Sequence, residues 1–74
     1  MIYRGITVYE KPGKLRTKTG DRRIAGEMYF GYYRRWVPQQ ETVEAMETMA
    51  RSMIDAELDA PESITTRWFK QGLV

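Results

Sequence analysis

The residues of this 74-residue chain with chemistry to offer are aromatic and basic: five tyrosines and two tryptophans stand among twelve Lys and Arg. In the strand-like stretches, Tyr3, Tyr9, Tyr29, Tyr33, Arg23 and Arg35 share one parity, with Lys14, Arg16 and Lys18 beside them. Rings set among guanidinium and ammonium groups on one sheet face stack bases and neutralise phosphates. An antiparallel ribbon of that kind also enters a DNA major groove, where Arg reads guanine edges and Lys holds the backbone. Tyrosine on an open strand face follows equally from β propensity, and Lys and Arg from the protection of strand edges.

Histidine and cysteine are both absent. That removes the commonest general base, the commonest metal ligand, the thiol nucleophile and any disulfide framework. Ser52 and Ser63 have no base to activate them. Asp55, Asp59 and Glu62 lack the spacing and turn glycine of a calcium loop, and the scattered glycines form no phosphate loop or dinucleotide fingerprint. The expectation is a non-enzymatic protein with no catalytic residues, no cofactor and no metal. No apolar run approaches the roughly 20 residues that span a bilayer, and Met-Ile-Tyr-Arg-Gly is not a signal-peptide opening. A cytoplasmic protein without a membrane partner is expected.

The net charge of +2 conceals an asymmetry. Residues 1–37 hold nine Lys/Arg against three Asp/Glu, a net +6, while residues 38–74 hold three against seven, a net −4. Such a split points to a polyanionic partner.

The elements that must position these side chains form a single small domain: residues 1–37 β-rich and basic, 38–60 a helix, 61–74 a short strand or tail. Ile2, Ile6 and Val8 alternate with Tyr3, Thr7 and Tyr9, as in a strand with two unlike faces. Lys11-Pro12-Gly13-Lys14 and Thr19-Gly20-Asp21 read as turns on either side of a short Leu15–Lys18 segment. The longest candidate strand runs from about Arg23 to Val37, with Ile24, Met28, Phe30, Tyr32 and Trp36 on its apolar parity. Gly26 and Gly31 predict a bulge or a break into two strands there. Pro38 is expected to end the strands.

Beyond it Val43, Met46, Met49, Ala50, Met53, Ile54 and Leu58 share one side of a helical wheel. Glu41 and Glu44 suit the positive end of the helix dipole, and Glu47 with Arg51 predicts an i,i+4 pair. Pro61 stops the helix. The methionines fit a plain core or an adaptable contact surface. At this length only about 60% of the chain's surface is buried on folding, so self-association into a homodimer would be in keeping.

Tyr3-Arg4-Gly5-Ile6, Tyr29-Phe30-Gly31-Tyr32 and Thr42-Val43-Glu44-Ala45-Met46 are similar to landmarks of three-strand-plus-helix DNA-binding modules. These include the Apetala-type domain of plant transcription factors and the arm-binding domains of phage integrases. The resemblance spans residues 2–58 and implies a sheet that enters the major groove with a helix behind it.

The reading is an α+β fold, an antiparallel sheet of three to four strands packed on one amphipathic helix. The expected function is DNA or RNA binding through Lys14, Arg16, Lys18, Arg23, Tyr29, Tyr33 and Arg35. The alternative is a small phage or mobile-element protein that binds and inhibits or modulates a host protein complex.

Overall fold

A computed structural model describes residues 1–60, and the expected strand or tail over 61–74 lies outside the described residues. The order of elements is β1 (Ile2–Tyr3), β2 (Ile6–Arg16), β3 (Arg22–Phe30), β4 (Tyr33–Gln40) and α1 (Val43–Asp59). The four strands form one antiparallel meander in sequence order, with α1 across one face. The fold is α+β.

Two tight turns set the meander. Arg4 and Gly5 join β1 to β2 with φ of 51° and 83°, positive at both central positions as a type I′ hairpin requires. Gly31 and Tyr32 join β3 to β4, with only Gly31 at positive φ (63°), the II′ pattern. The long apolar stretch therefore breaks at Gly31, while Gly26 stays inside β3, where a Cβ would lie 2.7 Å from the Met46 sulfur.

Both prolines expected to stop strands lie within them. Pro12 pairs with Ile24 in β2. The Val8 N–H donates to the Met1 carbonyl on the outer side of β2. Strand alternation points the Pro12 nitrogen to that same side, which β1 leaves open past Thr7, so no ladder bond is lost. Pro38 sits exposed on the edge strand β4, which continues to Gln40. Lys11-Pro12-Gly13-Lys14 is thus a bulged part of a continuous strand, not a turn: the β2–β3 register shifts between Pro12 and Arg16.

Gln39 repairs that irregularity. Its Oε1 accepts from the Leu15 N–H at 2.9 Å. A Cβ on residue 13 would stand 2.5 Å from the same oxygen and 2.5 Å from the Arg23 carbonyl oxygen, so the position takes only glycine.

The helix begins at Val43, with Thr42 as its cap: the Thr42 hydroxyl accepts from the Ala45 N–H at 3.1 Å. The boundary between sheet and helix therefore lies near residue 41, not 38. Met46, Ala50 and Ile54 lie on the sheet at helical spacing and close a core with Ile6, Val8, Met28, Phe30 and Val37. Val43 and Met49 sit on the exposed margins of the helical stripe. Arg51 turns to Thr48 and to the Met1 sulfur in place of the expected contact with Glu47.

Three residues read on the apolar parity of the strands are not in the core. Ile2 is on the exposed edge, Tyr32 is in the turn, and Trp36 is 51% exposed. The physical reason for Trp36 is the two-residue turn. Phe30 pairs with Tyr33 and Glu27 with Trp36, so residues on one face change from even numbers in β3 to odd numbers in β4. Val37, absent from the expected apolar parity, is buried instead.

The described residues form an elongated body, 44 × 18 × 18 Å. Its core lies toward the β1–β2 and β3–β4 turns, while residues 14–23 of the β2–β3 hairpin contribute no buried side chain. No helix among the described residues is long and apolar enough to cross a membrane.

Candidate nucleic-acid interface

The turn-driven change of parity sorts the sheet's side chains into two sets. On the face away from α1, β2 presents Tyr9, β3 presents Glu27 and Tyr29, and β4 presents Arg34 and Trp36. Tyr9 pairs with Glu27, Glu27 with Trp36, and Tyr29 with Arg34, so these residues form adjoining rows. Tyr9 is 50% exposed and Tyr29 43%. The Arg34 guanidinium lies 5.2 Å from the Trp36 ring centroid, a cation–π contact worth about 0.5–1 kcal/mol at an exposed site. The Tyr29 hydroxyl donates to Glu27 Oε1 at 2.9 Å, which raises the phenol pKa because the neighbouring carboxylate favours the neutral donor.

Next to these rows an open groove of about 580 Å³ is bounded by Lys11, Pro12, Gly13 and Lys14 of β2, Ala25 of β3, and Trp36 to Gln39 of β4. The irregular stretch of β2, Pro38 of β4 and the small Ala25 between the two strands border the hollow. Its lining combines the Trp36 indole on β4 with two lysines on β2.

Of the seven residues expected at the site, the fold brings Lys14 and Tyr29 to this face. Arg16 and Lys18 sit out on the hairpin. The Arg16 Nη1 donates to the Gly20 carbonyl at 2.8 Å, and Lys18 borders a small hollow with Asp21 and Glu41. Arg23 reaches Glu41 at 4.0 Å. Tyr33 and Arg35 take the opposite face: Tyr33 packs against the core, and Arg35 pairs with Glu57 of α1. The expected placement of these two beside Tyr29 is corrected by the same two-residue turn that exposes Trp36. Tyr3 changes face too, its hydroxyl donating to Asp55 at 3.0 Å.

Sequence parity passed over Trp36, Lys11 and Arg34. For Trp36 and Arg34 the signal is the Gly31-Tyr32 pair: read as a two-residue hairpin turn, it inverts the face assignment of everything after it, whereas Lys11 shares the parity of Tyr9 and is hidden only by the reading of Lys11 to Lys14 as a turn.

A second charged cluster is structural. Arg4 donates to Asp55 at 2.9 Å and to Asp59 at 3.1 Å, clasping the β1–β2 turn to the end of the helix. Arg4 holds the Asp55 carboxyl below its ordinary pKa, with the Tyr3 hydroxyl adding to the effect. Among the described residues no group of three acidic side chains forms a metal site.

No family model, curated protein or solved structure matches the chain.

Proposed function

We propose that the protein binds nucleic acid, without catalysis, through the sheet face opposite α1. The observation that carries this reading is the groove in which Trp36 stands across from Lys11 and Lys14, adjoining Arg34, Tyr9 and Tyr29. Exposed rings supply stacking surfaces and the three cations supply phosphate contacts, the two components of sequence-tolerant nucleic-acid binding.

The +6 of the first half overstates what is offered to a partner. Arg4, Arg23 and Arg35 face carboxylates of Glu41 and of the helix. The cations that line or adjoin the groove are Lys11, Lys14 and Arg34.

Fluorescence anisotropy with labelled DNA and RNA across a salt series tests the reading. Binding is expected at low salt, falling steeply as salt rises. Lys11→Glu combined with Lys14→Glu should abolish it while leaving circular dichroism unchanged, because both side chains lie outside the core. Absence of binding to every nucleic acid at low salt sinks the proposal. Capture of one host protein complex in stoichiometric amounts would then support a protein-binding role.

A further inference from the structure

We infer that the Trp36 groove takes an unpaired nucleotide, so that the ligand is a single strand and not a duplex; this rests on the nucleic-acid reading above. Three observations on the sheet face select it. Trp36 is half exposed and forms a wall of the groove, whereas Arg34 occupies one side of the ring and does not line the groove. A ring in that position is satisfied by another flat ring. In a duplex both faces of every interior base are already covered by neighbouring pairs, so only an unpaired base can stack on it.

The groove is also the right kind of enclosure. At about 580 Å³ it falls within the roughly 300–1,000 Å³ of small-ligand clefts. It is bordered by Lys11 and Lys14 on β2 and by Ala25, Trp36 and Pro38. A nucleotide has the same division, an anionic phosphate on one side and an aromatic base on the other.

The third observation is Glu27. Its carboxylate stands at the middle of the face, directly cross-strand from both Tyr9 and Trp36. A duplex laid across the whole face would press its negative groove and flanking phosphates against that carboxylate. A single strand passing along Lys11 and Lys14 keeps its phosphates away from Glu27. It turns toward that carboxylate only the base edge, whose N–H groups a carboxylate accepts.

The test uses the full chain carrying Trp68→Phe, so that Trp36 is the sole indole. A short mixed-sequence DNA strand, the same sequence as a blunt duplex, and an abasic strand of equal length are titrated at low salt. The expected result is quenching of Trp36 emission by the single strand alone, with affinity about tenfold above that for the duplex or the abasic strand. Trp36→Ala should lower single-strand affinity about tenfold, and Trp36→Phe should retain most of it. Because Trp36 lies outside the core, both variants are expected to keep the parent's circular dichroism.

Equal or tighter binding of the duplex, or single-strand affinity indifferent to Trp36→Ala, overturns this inference and leaves the nucleic-acid reading standing. No anisotropy change with any of the three probes overturns both.

Discussion

Gly13 is a position where one methyl group meets backbone that cannot yield. An added Cβ collides with the Arg23 carbonyl and with the Gln39 amide oxygen that supports the bulge. Gly13→Ala is expected to destabilise the protein by about 1–3 kcal/mol, measured as a lower urea midpoint with unchanged slope. Asp55 makes a prediction about pH. Arg4, and secondarily Tyr3, hold its folded-state pKa below the ordinary 3.8. The stability this contributes is present above the ordinary value and is lost as pH falls through the depressed one. Urea midpoints at neutral pH and at about pH 2 should therefore converge in Asp55→Asn relative to the parent. Convergence no greater than in an exposed control such as Glu44→Gln would refute the linkage. Legibility at this scale was uneven. Tyr29 takes the face that its parity predicts, and Lys14, singled out by type alone, borders the groove. Arg23 and Arg35 look the same in the sequence but spend their charge inside the molecule, on Glu41 and Glu57.

At the scale of elements, the helix was the most readable part, because a 3.6-residue apolar period needs no knowledge of neighbours. Its start is set by Thr42, whose hydroxyl caps the first turn. Thr42→Ala should cost about 1 kcal/mol, read by thermal or urea unfolding. The strands were harder for a countable reason. Parity carries over β2–β3, where Val8 pairs with Met28 and Pro12 with Ile24, and inverts over β3–β4, where Phe30 pairs with Tyr33. One misjudged turn therefore exchanged Trp36 with Val37 and placed Tyr33 and Arg35 on the wrong face. The prolines misled because their meaning depends on which side of the strand is open, and that is a property of the sheet, not of the sequence around them.

At the scale of the whole molecule, the split into a basic and an acidic half has an internal use: Arg4 and Arg35 hold Asp55, Asp59 and Glu57 of α1 against the sheet. At and beside the groove three cations remain for a polyanion. With Lys11, Lys14 and Arg34 as the contacts, the plot of log affinity against log salt should have a slope of about −2 for a single strand. A slope near zero would show that the cations do not touch phosphate. The elongated shape of the described residues also divides them by how readily their backbone opens. Among the described residues every fully buried side chain belongs to the end built on α1, and the hairpin tip from Lys14 to Arg23 is held mainly by its own ladder and by Gln39. Amide hydrogens of Met28 and Phe30 should exchange with deuterium only on global unfolding, and those near the tip through local opening. Lys11 and Lys14 stand where the two regimes meet. A strand gripped there would slow exchange along the hairpin without touching its tip, making the ligand visible as a gain in local order far from its own contacts.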